Sequence, residues 1–193
     1  MLTLEIIGTL VGLLYLYFEY KASIWLWATG IVMPAIYIFV YYDAGFYADM
    51  GIQFYYLLAG GYGWTMWMRR AHRDQPTTER RISSMPVARW LPLSAVTLLC
   101  FGAIAFILIR FTDSTVPYGD SFTTALSIVG LWMLAQKYTE QWLVWVAVDL
   151  VCAALYFYKG LYPTAVLYAL YTVIAVFGYF KWVRMMKTAE QNG

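Results

Sequence analysis

The sequence predicts an all-α membrane protein with seven transmembrane helices, and three observations support this. Hydrophobic residues make up 62% of the 193 residues and charged residues 12%, against about 25% charged in soluble proteins. The mean hydropathy is +0.61, and the chain carries 18 Tyr, 11 Phe and 9 Trp, which is typical of a helical membrane protein with aromatic belts. Finally, seven apolar stretches follow one another, separated by polar breaks.

A spanning helix needs about 20 mostly apolar residues. The seven stretches that approach this length are 4–18, 24–42, 46–68, 90–111, 121–136, 141–158 and 162–183. The net charge of +2 gives no indication of nucleic-acid binding. Cys100 and Cys152 both lie inside apolar runs, so we interpret them as buried thiols and expect neither a disulfide nor a metal site.

The basic residues predict the orientation of the spans. Arginines cluster in the loop after the third span, and Lys181, Arg184 and Lys187 lie at or just beyond the end of the seventh. Cytoplasmic loops are enriched in Lys and Arg, and four spans separate the two clusters, so both can be cytoplasmic. We therefore expect the N-terminus outside and the C-terminus in the cytoplasm. Arg110 and Lys159 are exceptions to this pattern.

An internal repeat organises the spans. Residues 27–67 lie on residues 142–182 without a gap at a constant offset of 115, pairing Trp27 with Trp142 and Gly63 with Gly178. This predicts a 3+1+3 arrangement of two parallel three-helix-bundle repeats, a design that binds substrate near the membrane midplane between the repeats. The expected domains are the first repeat, 1–68; the cytoplasmic loop, linker helix and outer loop, 69–120; the second repeat, 121–183; and a cytoplasmic tail, 184–193.

One face of the sixth span brings two tryptophans and a carboxylate together. Trp142, Trp145 and Asp149 stand at i, i+3 and i+7, on one side of a helix. An acid at bilayer depth is costly and faces a cavity or a partner, and a carboxylate flanked by indole rings suits a flat organic cation. The alternatives are an interfacial belt for the tryptophans and a buried ion pair for Asp149, although no Lys or Arg stands at matching depth.

A second set of candidates lies on the third span and on its copy. Gln53 and Tyr56 share a stripe with Gly60 and Gly63, and a mid-membrane amide must find a partner. Gln53 therefore makes either an interhelical hydrogen bond or a substrate contact, while the glycines allow helix packing or leave room for a ligand. In the seventh span the corresponding positions are Tyr168 and Tyr171, which offer aromatic walls with hydroxyl groups.

Motifs for catalysis and for nucleotide binding are missing from the sequence. There is no Walker loop, no glycine-rich dinucleotide turn and no His/Cys cluster. The single histidine, His72, lies among loop arginines, and Glu5 is an acid near the outer end of the first span. We therefore expect no enzyme, no catalytic residues, no metal and no cofactor. Transport by such a chain would be passive or ion-coupled.

Several motifs resemble the PnuC-type vitamin transporters, which carry nicotinamide riboside and have thiamine and riboflavin relatives. The resemblance covers nearly the whole chain, and its W-x-x-W helix is specific. The motifs are Glu5, Gly8-Thr9, Gly12, Tyr62-Gly63-Trp64 with Trp67, Leu126 to Gly130, Lys137-Tyr138-Thr139-Glu140-Gln141-Trp142 with Trp145, and Gly160-Leu161-Tyr162.

The resemblance implies a full-length SWEET-like fold in a bacterial inner membrane, with a homotrimer as one assembly. It implies facilitated diffusion of an unphosphorylated vitamin that a separate intracellular kinase traps. Trp142, Trp145, Asp149 and Gln53 match residues that line the family's substrate site. Trp64 and Gln141 lie inside the matched motifs and complete the candidate set with the tyrosines above. In nicotinamide riboside transporters, Asn commonly occupies the position of Asp149.

The expected function is therefore uniport of a cationic aromatic vitamin, nicotinamide riboside first and thiamine second. A carboxylate at 149 suits both cations and makes neutral riboflavin a poorer candidate. A proton-coupled carrier and a non-transporting membrane receptor are the alternatives from other classes.

Overall fold

The computed structural model describes residues 2–44, 47–69 and 81–191, and these form seven α-helices. The helices are α1 (Leu2–Tyr20), α2 (Trp25–Ala44), α3 (Tyr47–Arg69), α4 (Trp90–Phe111), α5 (Pro117–Ala135), α6 (Gln141–Tyr158) and α7 (Tyr162–Gln191). Each of the seven predicted apolar stretches forms one of these helices. The all-helical prediction is therefore confirmed for the described residues.

Helix ends depart from the predicted stretches by more than two residues in two places. Helix α5 begins four residues early because Pro117 opens its first turn, where a missing backbone N–H costs nothing. Helix α7 continues to Gln191, so residues 184–191 of the expected tail are helical. By length and composition, three described helical segments can cross a membrane: Val87–Phe111, Gln141–Tyr158 and Thr164–Ala189.

The chain divides into two compact units, Met1–Arg81 and Ile82–Gly193. In the first unit α2 packs against both α1 and α3. In the second, α4 packs on α5, α5 on α6, and α6 on α7. Helix α4, the predicted linker helix, thus lies within the second unit and packs on α5.

The loop between α1 and α2 has the same backbone geometry as the loop between α5 and α6. Ala22 and Lys137, at the offset of 115, both adopt a positive φ, at 52° and 54°. Five backbone hydrogen bonds recur in the same register. Each bond joins a backbone N–H to a carbonyl oxygen. In the first loop the donor and acceptor residues are Lys21 and Tyr17, Ala22 and Glu19, Ser23 and Phe18, Leu26 and Ser23, and Trp27 and Ile24. In the second loop they are Gln136 and Trp132, Lys137 and Leu134, Tyr138 and Met133, Gln141 and Tyr138, and Trp142 and Thr139.

Each unit has a buried pair of tryptophans that joins the second helix of its repeat to the third. Trp27 packs edge-on against Trp67 with ring centroids 5.6 Å apart, and Trp142 packs against Trp182 at 5.8 Å. All four rings are at most 2% exposed. In each unit the second-helix tryptophan lies over a glycine of the third helix, Gly63 or Gly178, where a Cβ would collide with the indole. The duplicated sequence thus has a duplicated packing core.

Residues 82–89, hereafter the strap, run across the α5–α6 loop. The N–H of Ser83 donates to the Lys137 carbonyl, and the N–H of Thr139 donates to the Ser83 carbonyl, both at 3.1 Å. The Met85 N–H donates to Glu140 Oε2 at 3.0 Å, and Arg89 Nη1 donates to the Tyr138 hydroxyl at 2.7 Å. The strap therefore holds the loop that leads directly into α6.

A charged pair lies at the opposite end of α6. Lys159 Nζ is 3.9 Å from Asp120 Oδ1, and Asp120 also accepts a hydrogen bond from the Ser114 hydroxyl. Lys159, one of the two exceptions to the expected distribution of basic residues, thus lies in a partly exposed ion pair with α5.

Candidate functional site

Asp149 is the buried acid of α6, and 8% of its surface is exposed. In the described part of the chain, no hydrogen bond or ion pair engages its carboxylate. The hydroxyls of Tyr168 and Tyr171 on α7 lie close enough to interact with it electrostatically. A buried carboxylate without a counterion is unfavourable, so a ligand that brings positive charge would gain more here than at an exposed acid.

Aromatic and polar side chains that sequence reasoning did not select extend this site. Tyr156 stacks on Tyr168 with centroids 5.1 Å apart and an interplanar angle of 29°. Cys152 lies near Thr123 of α5 and near Asp149 on its own helix. The available signal was helical spacing, because Cys152 and Tyr156 follow Asp149 by three and seven residues.

Trp145 lies one turn before Asp149 on α6 and covers Gly130 of α5. A Cβ at Gly130 would lie 3.5 Å from the indole of Trp145, in ordinary van der Waals contact. In the first unit this contact is reversed, because Tyr15 of α1 covers Gly30 of α2. The indole N–H of Trp145 is buried and has no hydrogen-bond partner among the described residues.

Trp142, by contrast, is enclosed by its own unit. Its exposed fraction is 1%, Trp182 meets it edge-on, and a Cβ on Gly178 would come within 2.7 Å of its ring. Trp27 has the same surroundings in the first unit. In this conformation the indole of Trp142 therefore has a packing role that sequence reasoning did not anticipate.

Gln141, the first residue of α6, is completely buried. Neither its amide oxygen nor its amide nitrogen has a hydrogen-bond partner among the residues that the structure describes. Such a group loses hydrogen bonds to water on burial and gains none in return.

The other predicted residues lie in the first unit. Gln53 and Trp64 on α3 are half-buried, and Tyr56 is 39% exposed with its ring 5.6 Å from that of Tyr55. The structure therefore groups Asp149, Tyr168 and Tyr171 with Trp145 on α6, and it describes Gln53, Tyr56 and Trp64 within a separate unit. His72 and the side chain of Glu5 lie outside the described residues.

The chemistry of the second-unit site is that of binding. Within residues whose side chains are described, no three His, Cys, Asp or Glu side chains gather as a metal site would require. The groups around Asp149 are phenols, a thiol and an indole, which can stack on a flat ring and stabilise a positive charge. The fold defines a helical membrane protein, and the side chains around Asp149 have the chemistry to hold a flat aromatic cation.

The family follows from comparison with known proteins. The family model described as "Nicotinamide mononucleotide transporter" matches residues 2–184. The chain belongs to this family of membrane transporters, which confirms the resemblance drawn from the motifs.

Individual relatives carry more specific names. The chain is 22% identical to the nicotinamide riboside transporter PnuC of Escherichia coli over 98% of its own length and 87% of the relative. It is 25% identical to the PnuC of Neisseria mucosa, covering 94% and 72%. The riboflavin/roseoflavin transporter RibM of Streptomyces davaonensis is 22% identical, with 92% and 83% covered. A crystal structure of the vitamin B3 transporter PnuC matches with a TM-score of 0.67 and 25% identity, over 92% and 79% of the two chains.

Proposed function

We propose that this protein takes up nicotinamide riboside by facilitated diffusion across a bacterial inner membrane. The observation that carries the proposal is the buried Asp149 carboxylate, which has aromatic neighbours on α6 and α7 and no counterion among the described residues. Nicotinamide riboside has a cationic aromatic ring that this site can stack on and neutralise. Several relatives bear the name of a nicotinamide riboside transporter.

Thiamine is the second candidate substrate, since it is also a cationic aromatic and the same carboxylate would attract it. Riboflavin, the substrate named for one relative, is neutral and would gain nothing from the charge. Within this proposal Trp142, Trp145, Asp149, Tyr168, Tyr171 and Gln141 belong to the second repeat, and Gln53, Tyr56 and Trp64 to the first.

The architecture that we propose for this function is two parallel three-helix repeats, α1–α3 and α5–α7, joined by α4 in a 3+1+3 SWEET-like plan. Support comes from the recurring loop and tryptophan pair at the offset of 115. In this scheme all seven helices cross the membrane, with the N-terminus outside and the C-terminus in the cytoplasm. A homotrimer and a separate vitamin kinase that traps the substrate complete the scheme.

Uptake into proteoliposomes tests the substrate and the mode of transport together. Labelled nicotinamide riboside should enter until it equilibrates and no further, and Trp145→Ala and Asp149→Ala should each slow it. Accumulation driven by an imposed pH gradient would indicate proton coupling instead. Binding of the labelled vitamin without flux would indicate a receptor. Wild-type rates in both variants would contradict the assigned site.

A further inference from the structure

Three positions on one face of α6 differ in chemistry from their counterparts in α2. In the first unit all three residues are apolar or small, and in the second they are an amide, an indole and a carboxylate. In pairs at the offset of 115, they are Gln141 for Leu26, Trp145 for Gly30, and Asp149 for Pro34.

The three residues form a continuous stripe. They are spaced four residues apart, so each is displaced by only about 40° around the helix from the one before. The stripe rises about 12 Å from Gln141 to Asp149. That length is comparable to a small nucleoside, with the indole of Trp145 between the two polar ends.

The two units provide an internal control for Gln141. Leu26 and Gln141 are both 0% exposed at the same place behind the same loop, so the fold needs only an apolar side chain there. Gln141 nevertheless buries an amide with no partner among the described residues. The unpartnered indole N–H of Trp142 is different, because Trp27 repeats it in the first unit. An unpartnered indole N–H at this position is therefore common to both units, whereas the unpartnered amide of Gln141 occurs only in the second.

We propose that Gln141 is a specificity residue that binds the hydroxyl-bearing sugar of the substrate, at the end of the stripe opposite the carboxylate. Its amide supplies two donors and an acceptor, the groups that a ribose hydroxyl pairs with. The indole N–H of Trp145 adds a donor one turn further along. This inference rests on the proposed function, since it assumes a ligand that joins a cationic ring to a polyhydroxylated group.

Binding of two aromatic cations to purified protein distinguishes recognition of the sugar by Gln141 from recognition of the charge by Asp149. Nicotinamide riboside carries the sugar, whereas 1-methylnicotinamide keeps the cationic ring and has a methyl group in its place. Gln141→Leu, which copies the first unit, should weaken binding of nicotinamide riboside about tenfold, as expected for lost hydrogen bonds. It should leave 1-methylnicotinamide binding unchanged, while Asp149→Leu should weaken both. Gln141→Met provides a second apolar variant with the unbranched shape of glutamine.

Thermal unfolding without ligand distinguishes a structural role. Both variants should unfold at or above the wild-type temperature, because an unpaired buried amide has been removed. A lower unfolding temperature in both, unchanged affinity for nicotinamide riboside, or equal weakening of both probes would overturn the inference alone. If the wild type bound 1-methylnicotinamide but no nicotinamide riboside, or neither probe, the proposed function would be overturned with it.

Discussion

The carboxylate of Asp149 is the residue on which substrate charge should depend. Asp149→Asn keeps the size of the side chain and one acceptor oxygen but removes the charge, so affinity for nicotinamide riboside should fall about tenfold or less. Asp149→Leu also removes the polar atoms and should abolish measurable transport. Quenching of tryptophan fluorescence gives the affinities. Equal affinity in the wild type and both variants would show that the carboxylate does not contact the substrate.

Gly178 makes a different kind of contribution, since it allows α7 to approach the Trp142 ring. Gly178→Ala would place a Cβ 2.7 Å from that ring, and such overpacking typically costs about 1–3 kcal/mol. Gly102→Ala on α4 is the matched control, because a Cβ there meets nothing within 4 Å. Thermal unfolding in detergent should show a lower midpoint for the first variant and an unchanged or higher one for the second. Equal midpoints would contradict the tight packing of Gly178.

At the scale of elements, the strap should stabilise the loop that precedes α6. The Glu140 carboxylate accepts the Met85 N–H at 3.0 Å, and hydrogen bonds to charged groups contribute about 1.5–3 kcal/mol. Glu140→Ala should therefore lower the unfolding midpoint and make the strap more sensitive to limited proteolysis. Glu140→Gln keeps an acceptor and should largely retain both properties. If the two variants behave alike, the acceptor is not what holds the strap.

Helix positions were predictable because each apolar run between polar breaks is one helix. The end of α7 was missed because Arg184 and Lys187 favour a helix but are charged. A search for apolar runs detects hydropathy and not helix propensity. The contact between the strap and the α5–α6 loop was beyond sequence reasoning, since Ser83 bonds to Lys137 and Thr139 through backbone groups that carry no compositional signal.

The candidate site was predictable only in part, because the sequence shows which residues share a helix face but not which neighbours cover them. Helical spacing along α6 indicates Trp145 and Asp149, and the same spacing continues to Cys152 and Tyr156. Trp142 shares that face in sequence, yet its ring is covered by Trp182. Helical periodicity gives the direction of a side chain but not which neighbouring helix covers it.

At the scale of the whole molecule, Ala22 and Lys137, which hold the same positive-φ position in the two repeated loops, should respond differently to substitution by glycine. A non-glycine residue with positive φ is strained, so Ala22→Gly should raise stability by up to about 1 kcal/mol. Ala28→Gly, within α2, should lower it by about the same amount. Lys137→Gly should bring no gain, because the side chain of Lys137 is buried and makes interactions of its own. Unfolding midpoints of the three variants test whether the copied loop retains backbone strain in both units.

The reversed contact between Tyr15 and Gly30, against Gly130 and Trp145, bears on how the two halves diverged. If they arose from one ancestral segment, at least one half has exchanged which helix carries the ring. No single substitution makes that exchange. If the glycine is replaced first, two aromatic rings face each other and the site is overpacked. If the aromatic residue is replaced first, two glycines face each other and leave a void. The intermediate must have been tolerated or compensated, so substitutions at these paired positions should be strongly non-additive. A functional asymmetry between the halves would then be hard to reverse one mutation at a time.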